Sequence, residues 1–138
     1  MTSIAAARPT VVRILGPGTA ICALIYLVPA VWIVVAPHGF FHTIGPFGPY
    51  NAHYLGDAAA LTGGIGLALA AAVVWPSLRA GALLVALLAT GLHAINHWID
   101  INHAHAGSNA GASDAIQLTI GTIVIAGLFW ASLWKEPS

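Results

Sequence analysis

Residues Ile14 to Ala36 read ILGPGTAICALIYLVPAVWIVVA, an uninterrupted run without a single charged side chain. A helix crossing the hydrocarbon core needs about 20 apolar residues at a rise of about 1.5 Å each. This run meets that length. It is also too long for the hydrophobic segment of a cleaved signal peptide, and no Ala-x-Ala site follows it, so it reads as a retained anchor. Pro17 and Pro29 lie within it. Membrane helices tolerate proline where neighbours satisfy the freed carbonyl, and Pro29 is expected to kink the span.

Three further runs follow, from about Leu55 to Trp75, Ala80 to Ile99 and Ala115 to Trp134. Between the second and third, Trp75-Pro76-Ser77 predicts a tight turn, because proline ends a helix at its predecessor. Composition agrees with four spans. Of the 138 residues, 59% are hydrophobic and 6% charged, against about 25% charged in a soluble domain. So few charges cannot cover a water-facing surface. The expected fold is therefore all-α: a single domain, residues 1–138, forming an integral membrane bundle of four transmembrane helices.

The charges give the expected sidedness. Arg8 and Arg13 precede the first span, Arg79 lies between the second and third, and Lys135 follows the fourth. Four spans bring all three locations to one face, which the positive-inside rule makes cytoplasmic, with both termini. The outer loops, about Pro37 to Tyr54 and Asp100 to Asp114, contain no Lys or Arg. The expected location is the cell membrane, multi-pass, with the lipid bilayer as the first partner. Zero net charge and the lack of a basic patch exclude nucleic-acid binding. Cys22 is the only cysteine, which excludes a CxxC redox pair and an internal disulfide.

All seven histidines, His38, His42, His53, His93, His97, His103 and His105, fall in the outer loops or at outer helix ends, together with Asp57, Asp100 and Asp114; Glu136 is in the cytoplasmic tail. Phe40, Phe41, Phe47, Tyr50 and Tyr54 in the first outer loop suit the headgroup zone. His38 and His42, flanking two Phe, read as interfacial, and His103 and His105 as solvated loop residues or a loose metal contact. Ser113 or Asp114 is the expected N-cap of the fourth span.

Two polar pairs have helical i, i+4 spacing. His93 and His97 share one face of the third span, extended by Asp100 and flanked by Asn96; His53 and Asp57 open the second. Four spans put both pairs at one membrane depth. Three imidazoles and a carboxylate suit zinc, copper or iron. The expected metal ligands are His53, Asp57, His93 and His97, with Asn96, Asp100, Asp114 and Gln117 orienting them. A carboxylate at mid-span costs about 2.5–3.5 kcal/mol, less near the interface, so Asp57 calls for a partner.

The same groups can instead hydrogen-bond one another and tie helix ends together. That reading belongs to a non-catalytic interaction or assembly subunit. A b-type haem held by two histidines from different spans is a third alternative, and pH sensing by the cluster a fourth. Span two offers Ala59/Gly63, Ala60/Gly64 and Gly64/Ala68 as small-xxx-small pairs, suited either to packing inside the bundle or to a homo-oligomer or another membrane protein. Catalytic signatures are absent. No HExxH occurs, histidine boxes are too sparse for an oxygenase, and Ser108 and Ser113 lack a nucleophile-elbow setting. The first span has no carboxylate of the kind four-span multidrug exporters use, and no pair of broken half-helices offers a transport site.

The stretch GPYNAHYLGDAAAL, preceded by PHGFF, resembles a group of small actinobacterial four-helix membrane proteins. They share Pro-x-x-Phe after the first span, Pro-Tyr-Asn-x-His with an Asp four residues later, and a His pair late in the third span. Here these fall on Pro37, Phe40, Pro49, Tyr50, Asn51, His53, Asp57, His93 and His97. The resemblance runs from about Gly16 to Trp134. It implies the topology and this residue set, and it carries no activity. Members often have Arg just before the motif Asp, where this chain has Gly56, so Asp57 depends here on histidine or metal.

Overall fold

A computed structural model describes residues 3–44, 48–101 and 110–134. Phe47, His103, His105, Ser108, Lys135 and Glu136, weighed above, lie outside the described residues. The described chain is helical: α1 (Ser3–Val35), α2 (Pro37–Thr43), α3 (Ala52–Val74), a 3-10 turn (Pro76–Leu78), α4 (Arg79–Ile99) and α5 (Ala110–Ser132). Four of these helices contain stretches long and apolar enough to cross a membrane: Arg13–Val35, Ala52–Val74, Pro76–Ile99 and Gly111–Ser132.

The spans agree with the sequence, while the helix ends differ in instructive ways. α1 begins well before its apolar run and continues through Pro9, Pro17 and Pro29. The first interhelical loop contains α2. Ala36 breaks the ladder, and Pro37 starts the new helix at its first turn, where a missing N–H costs nothing. α3 starts at Ala52 because Asn51 caps it, its Oδ1 accepting the Tyr54 N–H at 3.0 Å. Trp75 is extended (φ −115°, ψ 91°), as a residue before proline prefers, and the turn beyond it follows. At α5 the expected N-cap is overturned. The helix already runs from Ala110, so Ser113 and Asp114 sit within its first turns.

Packing divides the bundle into two helix pairs. α1 lies along α3, and α4 along α5, whereas α3 and α4 touch sparingly. Gly66 faces Leu27 and Gly63 faces Ala30, which makes the first pair antiparallel; Gly91 against Thr122 and Thr90 against Gly121 register the second. A Cβ on Gly66 would lie 2.7 Å from Leu27 Cγ and 3.1 Å from its backbone N, so only glycine fits that crossing. The core is made largely of small side chains, Cys22, Ala23, Ala72, Ala82 and Ala86, around Leu69, Leu83 and Ile125. Such cores suit helices in lipid. Apolar solvent removes the hydrophobic drive, and close backbone contact supplies the attraction instead.

The threonines of the spans find local acceptors. Thr19, Thr62, Thr90, Thr119 and Thr122 each return their hydroxyl to the carbonyl four residues back, at 2.6–2.8 Å. Large apolar side chains such as Ile25, Val28, Leu61, Leu88 and Ile123 point outward, each more than half exposed. A surface of that kind suits lipid, not water.

Candidate functional site

At one end of α4 the imidazoles of His93 and His97 meet, Nε2 to Nε2 at 3.0 Å, with ring centroids 4.7 Å apart and planes at 62°. The four-residue spacing stacks the two Cβ atoms on one helix face, and the rings then converge on the same nitrogen. Asp114 lies on α5, the helix that packs along α4. At the residue after His97, the Trp98 indole N–H donates to Thr119 Oγ1 at 2.9 Å, tying α4 to α5. Gln117 Nε2 donates to Ser113 Oγ at 2.9 Å, so its amide serves α5 itself. Asn96 is exposed, and Asp100 closes the helix, its N–H donating to the Asn96 carbonyl.

The second pair stands apart. His53 Nε2 lies 3.6 Å from Asp57 Oδ2 on the first turns of α3, with side chains 91% and 66% exposed. Both point away from the α1 contact, which uses Leu55 and Ala59. The structure therefore joins His53 to Asp57 and His93 to His97. Among the described residues, no three His, Cys, Asp or Glu side chains form a group able to hold a metal ion.

A third polar feature lies over α1 and α3. His38 stacks on Tyr50 (centroids 4.0 Å, planes 15°), and Phe41 meets Tyr50 edge-on at 5.4 Å. Trp32 meets Phe40 in the same manner. Phe40, Phe41 and Tyr50 rest on Ile33, Leu55 and Ala59. These rings, expected at the headgroups, thus form a lid that seats α2 on the helix pair; Tyr54 stays exposed.

Sequence reading missed one polar contact altogether. Tyr26 OH donates to Thr90 Oγ1 at 2.5 Å, Thr90 in turn donates its own proton to the Ala86 carbonyl, and the phenol oxygen lies 3.1 Å from that carbonyl, bridging α1 to α4 within the bundle. A tyrosine in mid-span is the signal that would have found it, because a phenol in lipid needs a partner.

Two imidazole nitrogens 3.0 Å apart permit two chemistries. One is a single N–H···N hydrogen bond. The other is a shared metal ion: with metal–nitrogen bonds of about 2.0–2.1 Å, the observed separation corresponds to an N–metal–N angle of about 95°. The residues present thus fit a two-point clip that leaves coordination positions open. Comparison with protein-family models, with curated proteins and with solved structures finds no match to this chain.

Proposed function

We propose that the chain is a multi-pass membrane protein that binds a transition-metal ion through His93 and His97, with Asp114 of the adjoining helix as an orienting group. The observation that carries this reading is the convergence of the two Nε2 atoms to 3.0 Å at a helix end. An angle near the cis value suits tetragonal copper(II), and modest ring rotation brings it to tetrahedral zinc; iron is the third candidate. Asp114 would offset the ion's charge or orient an imidazole, with Asn96, Asp100 and Gln117 nearby in sequence as further orienting groups. His53 and Asp57 complete the set only if α3 and α4 approach each other at this end.

The proposed orientation keeps Arg8, Arg13, Arg79 and Lys135 on the cytoplasmic side, and both termini with them, which leaves the clip on the opposite face. Metal analysis of the intact protein, purified without chelator and loaded with copper(II) or zinc(II), tests the reading. One ion per chain is expected in wild type, lost in His93→Ala and His97→Ala. No stoichiometric metal in the intact protein would sink it.

A second reading makes this end a structural polar network in an assembly subunit. Its support is the Trp98–Thr119 and Ser113–Gln117 bonds, which satisfy neighbouring groups without any ion. Haem fits less well. Its two axial imidazoles lie on opposite faces of the ring and come from different spans, so His93 and His97, one turn apart on α4, cannot both serve, and a haem would need one of them with His53 of α3. An optical spectrum separates haem and copper from the metal-free network.

A further inference from the structure

Arg79 opens α4 within an apolar candidate span, and its Nε is buried with no hydrogen-bond partner among the described residues. A donor on a charged group costs more to leave unmet than a neutral one, so this nitrogen calls for an acceptor, preferably an anion. The described chain offers none at this end of the bundle. Its carboxylates, Asp57, Asp100 and Asp114, all stand at the other end: Asp57 and Asp114 in the first turns of α3 and α5, Asp100 at the far end of α4.

Packing registers show what shares its level. Gly91 meets Thr122 between α4 and α5, and continuing that register to the helix ends brings Arg79 level with Trp134. Gly18 meets Leu128 between α1 and α5, and the same continuation brings Arg13 level with Leu133. Trp134 stands edge-on to Trp130, with centroids 4.8 Å apart, and Trp75 is exposed just before the turn that leads into α4. Two guanidinium groups thus lie among indoles, the arrangement that marks the headgroup zone of a bilayer. Lipid phosphate is the anion abundant at that level. A guanidinium fork matches it, presenting parallel N–H bonds along its Nε–Nη edge. Turning the Arg79 side chain outward about its own torsions would bring that edge to a phosphate and give the orphaned donor its acceptor.

We infer that Arg79 anchors an anionic phospholipid, the Nε–Nη edge of its guanidinium taking two oxygens of the phosphodiester while Arg13 adds charge at the same level. The charge balance selects an anionic lipid over a zwitterionic one, because a choline headgroup would bring its own cation against two arginines. The site lies at the opposite end of α4 from the His93–His97 clip and does not depend on it. It holds whichever leaflet this end of the bundle occupies.

The test uses the full chain with nitrogen-15-labelled arginine in phosphatidylcholine nanodiscs, titrated with phosphatidylglycerol. The Arg79 Nε–H resonance, assigned by its loss in Arg79→Lys, is expected to shift and saturate. Native mass spectrometry then counts the phosphatidylglycerol retained by each variant. Arg79→Lys keeps the charge but lacks the fork, and should weaken retention about tenfold. Arg13→Gln should weaken it less than about threefold, as a charge that only adds to the local field. Inorganic phosphate at equal concentration should leave the resonance in place, which separates a lipid headgroup from a free anion. Glu136→Gln in nanodiscs without phosphatidylglycerol should leave it in place too, because the tail carboxylate is not the acceptor. A resonance unmoved by phosphatidylglycerol, an equal shift with inorganic phosphate, unaltered retention in Arg79→Lys, equal losses in Arg79→Lys and Arg13→Gln, or movement of the resonance in Glu136→Gln would each overturn the inference.

Discussion

His53 with Asp57 and His93 with His97 share a spacing, a helix-end position and an apolar span beneath them, yet their settings are opposite. On α3 the two side chains stand 3.6 Å apart on an outward face, mostly exposed. On α4 the two rings close to 3.0 Å, and the adjacent Trp98 bonds to Thr119 of α5. Spacing alone makes two residues neighbours. A second helix, packed in register, stands beside one of these pairs. The α4–α5 contact supplies that helix, and the sparse α3–α4 contact does not.

The largest effect expected from this difference is in metal retention. His93→Ala removes half of the clip and should weaken copper(II) or zinc(II) binding by about 100-fold or more, beyond the 10–100-fold typical of an orienting group. His53→Ala should leave it within about twofold. Titration of purified protein with each ion checks both. Equal losses in the two variants would mean that the pairs act as one site and that the helices draw together when metal binds.

A comparable contrast exists between the two faces of α3. Gly66→Ala places a methyl group 2.7 Å from Leu27 Cγ and 3.1 Å from its backbone N, so the helix contact must shift, and should destabilise the fold by about 1–3 kcal/mol. Gly64→Ala adds the same methyl to open space and should leave monomer stability unchanged. Unfolding in mixed micelles measures both. A smaller step follows at the metal end. Asp114→Asn keeps the shape, removes the charge, and should cost about tenfold in metal affinity, whereas Asp57→Asn should cost nothing.

These contrasts also mark what the sequence can and cannot reveal. The spans were legible because hydrocarbon thickness demands a run of apolar residues, and Ile14 to Ala36 has no charge to interrupt it. The turn at Trp75-Pro76 was legible because proline restricts its predecessor. The start of α5 was not. Gly111, Ala112 and Ser113 look like a loop by composition, and the helix continues through them to Ala110. The two small-residue ridges of α3 look alike in sequence, each a series of Gly and Ala three or four residues apart. Only the rotation of the helix about its axis assigns one to α1 and the other to the outside. The same rotation governs whether the two polar pairs meet. Equal depth follows from topology, but a shared direction depends on which faces the packing selects.

Tyr26 shows how the two helix pairs are nevertheless held in register. The α3–α4 contact is slight, so the contact of Tyr26 on α1 with Thr90 and the Ala86 carbonyl on α4 is the specific polar tie between the pairs among the described residues. Tyr26→Phe removes the hydroxyl and little else. The Ala86 carbonyl keeps the Thr90 hydroxyl at 2.8 Å, so no buried acceptor is stranded. The expected loss is therefore about 0.6 kcal/mol, the average for a hydrogen bond between membrane helices. The spatial consequence is more informative than the energy. With the tie gone, the spacing between α1 and α4 should broaden while the spacing within α4–α5 stays narrow. Paired spin labels on each helix pair, read by dipolar distance measurement, separate the two. Equal broadening in both would mean that the four helices move as one body and that the division into pairs has no mechanical meaning.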